Sequence, residues 1–169
     1  SFANQSGGTV NGTGFSFGTL TNGGTWNGAF LVSAGGSIIN SGEWRNTSEN
    51  ASSVGDGVFD NTGTLSGLDV IVAGANASLI NRAGGMIALD AGRRIFATDG
   101  GVVTNLGTVS AIGAANPNGI IVNGSGASWT GDHVVLATGS LINNGTITGN
   151  ISNSGRFTSG GTVNGSLIN

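Results

Sequence analysis

A short apolar pair flanked by small polar residues, then closed by asparagine and glycine, recurs along this chain. Gly139-Ser140-Leu141-Ile142-Asn143-Asn144-Gly145 states the phrase and Gly36-Ser37-Ile38-Ile39-Asn40-Ser41-Gly42 repeats it. Ala77-Ser78-Leu79-Ile80-Asn81-Arg82 is another copy, with Gly84 one place late, and looser copies end on Asn22, Asn61 and Asn105. A second phrase is an apolar run closed by small residues, as in Phe30-Leu31-Val32-Ser33-Ala34-Gly35, Val70-Ile71-Val72-Ala73-Gly74, Ile95-Phe96-Ala97-Thr98 and Val134-Val135-Leu136-Ala137. Ile120-Ile121-Val122-Asn123-Gly124 reads as a looser copy of this second phrase. A third follows the first: Thr25-Trp26-Asn27-Gly28, Glu43-Trp44-Arg45, Thr64-Leu65-Ser66-Gly67, Thr108-Val109-Ser110 and Thr146-Ile147-Thr148-Gly149.

The closing asparagines fall at 22, 40, 61, 81, 105 and 143, so neighbouring copies lie about 18–24 residues apart. A period of that length marks stacked repeats, each too small to bury its own apolar face. One unit holds three short strands and three tight turns, which is one coil of a parallel β-helix. Strands this short leave their backbone groups unpaired alone, and stacking at about 4.8 Å per coil pairs each with its copies above and below. About eight coils fit, giving a rod roughly 40 Å long. Leu, Ile, Val and Phe fill a narrow apolar column, with Ser, Thr and Asn outward. Asn and Gly both enter left-handed turns readily, so Asn-x-Gly reads as a corner, and asparagines repeating there can stack as an amide ladder. In this register Ile142 lies in the column, so Ile142→Asp is expected to unfold the segment; Asn143→Ala is expected to cost about 1 kcal/mol for one corner hydrogen bond. Phe15, Phe17, Trp26 and Phe30 are the bulky inward candidates near the start.

Residues 46–57 depart from the rhythm and read as a polar loop interrupting a single β-helix over 1–169. Insertions in solenoids project from one face and often carry binding. Trp44, Arg45, Asn46 and Glu49 are the binding candidates there, Trp44 as an aromatic platform unless it lies in the core. Arg93 and Arg94 form a second charged corner, whose planar forks suit a carboxylate or sulfate.

Composition narrows the rest. The chain holds 34 Gly, one Pro and no Cys in 169 residues, with 8% charged residues and a net charge of −3. Such glycine content without a period would point to disorder; with one, it points to turns. The acidic balance argues against nucleic acid, which needs a basic footprint. No run is long and apolar enough to span a bilayer, so no membrane insertion by this segment is expected. Thiolate metal sites are excluded by the absence of Cys, the single histidine (His133) has no second His or Cys to share a metal, and no cofactor motif occurs. Asp56 and Asp60 are the one close pair of acids that a polysaccharide-degrading β-helix could use. Ser6-Gly7-Gly8-Thr9-Val10-Asn11-Gly12 recurs as Ser159-Gly160-Gly161-Thr162-Val163-Asn164-Gly165, so both ends fall inside the repeat, as expected of a piece of a longer protein.

Ala77-Ser78-Leu79-Ile80-Asn81-Arg82-Ala83-Gly84-Gly85-Met86-Ile87-Ala88 and Gly139-Ser140-Leu141-Ile142-Asn143-Asn144-Gly145-Thr146-Ile147 resemble the repeats of filamentous-haemagglutinin-type exoproteins and autotransporter passengers. The resemblance covers nearly the whole chain outside 46–57. It implies a right-handed parallel β-helix, secreted across a Gram-negative outer membrane and held at the cell surface as a non-enzymatic adhesin. Its partner is expected to be another copy of itself on a neighbouring cell, giving aggregation and biofilm, or a host surface protein or glycan. A secreted carbohydrate-active β-helix and an inert stalk are the alternative readings.

Overall fold

Alternating apolar and small polar residues form 27 short strands, and the chain contains no helix. The computed structural model describes residues 1–169 and arranges these strands as three parallel sheets of nine. The first coil runs through Phe2–Asn4, Thr9–Asn11 and Gly14–Ser16, one strand in each sheet. We call these sheets A, B and C, in the order the chain enters them. The molecule is thus a parallel β-solenoid with three strands per coil and nine coils, where the chain length suggested about eight.

The three sequence phrases are the three sheets: the first phrase forms A, the third forms B and the second forms C. One copy changes place. Ile120–Asn123 pairs with Val102–Asn105 and Ser140–Asn143 in sheet A, not in sheet C. Its Asn123 therefore fills the gap between Asn105 and Asn143, and the irregular interval expected there disappears.

Those asparagines are not corner residues in left-handed backbone. Each closes a strand of sheet A with its side chain buried inside the A–B corner. The amide Nδ2 of Asn4 donates to Oδ1 of Asn22, and so on through Asn40, Asn61, Asn81, Asn105, Asn123 and Asn143, at 2.8–2.9 Å throughout. Each amide also donates to a backbone carbonyl at the start of sheet B in the next coil, for example Asn22 to Glu43 at 3.0 Å and Asn40 to Thr64 at 3.0 Å. The ladder ends where Asn143 donates to the Ser159 hydroxyl. Glycine at this corner answers a close approach: a Cβ on Gly42 or Gly63 would press into the carbonyl oxygen of the glycine one coil below. Neither has positive φ.

The core is one column of 27 buried apolar residues running the length of the rod. Of each apolar pair in sheet A, the first member points in. Leu141 is fully buried, whereas Ile142 is half-exposed on the outer face, so the expected register of this pair is corrected by one residue. A period of two leaves no other choice once Asn143 is inside. Near the start, Trp26 stacks on Trp44 at 4.5 Å and Phe30 on Phe59 at 4.2 Å. All three tryptophans donate their indole N–H to the carbonyl of the B–C turn one coil below: Trp26 to Gly12, Trp44 to Gly28 and Trp129 to Ala111, at 2.8–2.9 Å. Phe15 and Phe17, expected inside, are 61% and 76% exposed.

The polar stretch at 46–57 does not leave the rod as one loop. Glu43–Asn46 pairs between Thr25–Asn27 and Thr64–Gly67 in sheet B. Ser52–Gly55 pairs with Val70–Ala73 in sheet C, with Val54 fully buried. The strand tolerates Ser52 inside because its hydroxyl meets the Asn46 amide and the Phe30 N–H, both at 3.2 Å. Only residues 47–51 and the two-residue turn at 56–57 lie outside strands.

Two expectations follow. Leu141→Asp buries an unpaired charge and abolishes the cooperative unfolding transition, while Ile142→Asp keeps the fold and a similar midpoint; circular dichroism melts of both distinguish the two registers. Asn61→Ala removes a rung that accepts from Asn40 and donates to Asn81. Because it strands buried polar groups on both sides, it lowers stability in urea by about 2–3 kcal/mol, more than a single exposed corner bond.

Candidate functional site

Of the six binding candidates from the sequence, Glu49 and Arg93 lie in the turn from sheet B to sheet C, two coils apart, and the others lie on the flanking strands. Glu49 lies in the turn of the third coil, Asp69 in that of the fourth, and Asp90 to Arg93 in that of the fifth. Arg45 points outward from sheet B, exposed, on the same coil as Glu49. Two of the six candidates are corrected. Trp44 is fully buried between Trp26 and the Phe30–Phe59 pair, so it cannot present an aromatic platform. Asn46 is buried too. Its amide donates to the Asn50 carbonyl at 2.8 Å and its oxygen accepts from the Ser48 hydroxyl at 2.7 Å, which folds the 47–51 turn back against the rod.

The paired arginines are divided in role. Arg93 faces Asp69 at 3.7 Å, while the other Asp69 oxygen accepts the backbone N–H of Arg94 at 2.7 Å. Asp69 thus joins the fourth coil to the fifth, and the Arg94 side chain is left exposed with no carboxylate partner. Asp132 and Asn150 repeat the device, accepting the N–H of Asn150 at 2.8 Å and of Ser166 at 3.1 Å. Asp69, Asp132 and Asn150 are structural acceptors within a stacked corner.

Beside them lies a shallow groove of about 230 Å³, where the four-residue turn at 90–93 stands above the shorter turns of the next two coils. Its rim carries Asp90 and Arg93, with Ser110 and Thr130 along the wall and Ile112 beneath. It falls below the range of drug-sized ligand pockets, about 300–1,000 Å³. The corner can offer a polar contact of mixed charge to a broad partner.

The acids considered for catalysis do not converge. Asp60 lies on the outer face of sheet A and grips Arg82 with both oxygens, at 2.7 and 2.9 Å. Asp56 sits in the turn from sheet C to sheet A in left-handed backbone, where its carboxylate accepts the N–H of Asn76 at 3.1 Å. Each is committed to holding neighbouring coils together. No group of three or more His, Cys, Asp or Glu side chains is placed to hold a metal.

His133 is inside the column, 1% exposed, with its ring edge-on to Trp129 at 5.0 Å. It fits because Gly113, its partner one coil below, has no side chain. Nδ1 meets the Gly131 carbonyl at 3.1 Å and Nε2 has no partner. Burial pushes its pKa down to about 4, opposed by the Gly131 carbonyl and by Asp132.

What the sequence reading missed is the outer face of sheet C. In register along this face stand Phe15, Leu31, Ser53, Ile71, Phe96, Ala114 and Val134. Ile71, Phe96 and Val134 are half-buried apolar side chains along this line, Ala114 between them is only 3% exposed, and Arg94 and Thr98 flank Phe96 on the same outward side. The signal was present: the second phrase is apolar at consecutive positions where a half-buried strand would alternate.

No family model and no curated protein matches the sequence. Among solved structures the chain is similar to a TibC-catalysed hyper-glycosylated fragment of TibA spanning residues 55–350, at 19% identity over 98% of this chain and 76% of that one, with a TM-score of 0.27. At that score the likeness carries no argument, and the fold rests on the strand register itself.

His133 gives this region a pH signature. Its folded pKa lies below the ordinary 6.5, so the unfolded chain binds the extra proton between about pH 6.5 and 4, and stability falls as pH drops through that window. The loss approaches about 3 kcal/mol at pH 4. Urea melts of the protein and of His133→Leu at pH 7 and 4.5 isolate it: the variant loses less stability on acidification, and equal losses would place the titration elsewhere.

Proposed function

We propose that this chain is part of a surface adhesin rod that works through its outer faces, and that the face presented by sheet C associates with the same face of a second copy. The half-buried apolar side chains Ile71, Phe96 and Val134 on this face carry the reading. A face of this kind, without charges along its central line, brings no like-charge repulsion against its own copy, and its apolar area gains from removal from water. One face of so short a rod makes a weak contact. Many rods on one cell surface meeting many on another add such contacts as avidity, which is how weak faces hold cells together.

The polar faces support a supplementary role. The outer side of sheet B carries Thr25, Glu43, Thr64, Met86, Thr108, Ser128 and Thr146 in register, so hydroxyls dominate it. Secretion across a Gram-negative outer membrane, and residence at the cell surface, belong to the same proposal and come from the repeat resemblance.

Display of the segment on a non-aggregating bacterium tests the reading. Displayed cells settle together and leave undecorated cells in suspension; the double variant Phe96→Asp/Val134→Asp, whose changes lie on the outer face, keeps its melting temperature within a few degrees and settles at least severalfold more slowly. Dispersed wild-type cells would refute self-association, and settling unchanged in the variant would move it to another face.

A further inference from the structure

The largest concavity on the molecule, about 630 Å³, lies over the outer face of sheet A beside the turn from sheet C, towards the far end of the rod. Its shape comes from a step in the stacked turns. Those at 116–119 and 136–139 are long and stand proud, while the next coil turns through Ser154 and Gly155 alone. Ile120 and Ile142 form an apolar floor, and Thr138, Ser140 and Ser154 bring hydroxyls to the walls. Arg156 closes the groove, exposed and in register above Ser140.

Two features set this groove apart from the rest of a net-acidic surface. No carboxylate lines it, and the chain's two ion pairs use Arg82 and Arg93, so the Arg156 guanidinium is uncompensated. Thr138 is held at φ 65°, and among the non-glycine residues with positive φ it is the β-branched one, the others being Asp56, Asp99 and Asn118. A β-branched residue in that region is strained, and strain of this kind gathers at binding sites. Thr138 Oγ1 accepts the Asn118 N–H at 3.1 Å, which fixes the hydroxyl at the groove's rim.

We propose that this groove binds a carboxylate-bearing saccharide residue, such as a uronic acid at the end or within the chain of an acidic glycan. Arg156 takes the carboxylate through its two-pronged fork. The aliphatic floor of Ile120 and Ile142 receives the apolar face of the pyranose ring, and the wall hydroxyls of Thr138, Ser140 and Ser154 exchange hydrogen bonds with the sugar hydroxyls. The volume suits one or two sugar rings. The site stands apart from the self-associating face of sheet C, so either can fail while the other holds.

The test is an amide NMR titration of the intact segment with methyl β-D-glucuronide, methyl β-D-glucoside and sodium sulfate. The glucuronide shifts the Ser140, Ile142, Ser154 and Gly155 resonances saturably, and the neutral glucoside binds at least tenfold more weakly. Arg156→Gln weakens the glucuronide at least tenfold with an unchanged melting curve, and Arg94→Gln, on another corner, leaves it unaltered. Absence of saturable shifts up to about 20 mM, equal binding of the glucoside, or full affinity in Arg156→Gln would each overturn the proposal. Sulfate giving the same shifts at the same affinity would reduce the groove to an anion site without sugar recognition, and overturn it equally.

Discussion

A buried asparagine amide has two donors and an acceptor to satisfy, and in this rod the only partners within reach are the next coil's asparagine and the backbone beside it. That requirement sets the register of everything else. Once Asn22, Asn40, Asn61 and their successors hydrogen-bond in line, sheet A is fixed residue against residue. Because Nδ2 also reaches the first carbonyl of the following sheet B strand, sheet B is fixed too. Slipping one coil by a residue would turn each asparagine to water and each inward aliphatic out with it. The energetic penalty for an unsatisfied buried amide makes the ladder a device for register as much as for stability.

With register fixed at one corner, the other corners can vary. Coils absorb their changing lengths, 18 residues between Asn22 and Asn40 and 24 between Asn81 and Asn105, in the turns and in the strands of sheets B and C. Long turns beside short ones leave steps, and both grooves described here are such steps. The charged residues are mostly consumed in securing turns to their neighbours: Asp69 to Arg94, Asp56 to Asn76, Asp60 to Arg82. Charges left over, above all Arg156 and Arg94, are the ones free to meet a partner.

The sequence made the sheets and the ladder legible because strand identity there depends on residue type: asparagine followed by a glycine that must admit a neighbouring carbonyl has few substitutes. It was less informative where both members of a pair are apolar. Leu141 and Ile142 are equally hydrophobic, and only the position of Asn143 inside the rod decides which one is buried. Residues 46–57 looked like a loop because their polarity was read without the partners that satisfy it; Ser52 is inside only because Asn46 and Phe30 meet its hydroxyl. Trp44 could be core or platform from sequence alone, and stacking on Trp26 settles it. The outer face of sheet C was readable in principle from consecutive apolar residues, whereas the Arg156 groove was not, since it depends on how far each turn protrudes.

Side-chain amide hydrogen exchange, followed by NMR on the asparagine NH₂ groups, tests the central claim most directly. The account predicts that the amides of Asn22, Asn40, Asn61, Asn81, Asn105 and Asn123 exchange orders of magnitude more slowly than those of the exposed Asn118 and Asn144. Uniformly fast exchange across all of them would mean that no buried ladder exists and that the register rests on something else.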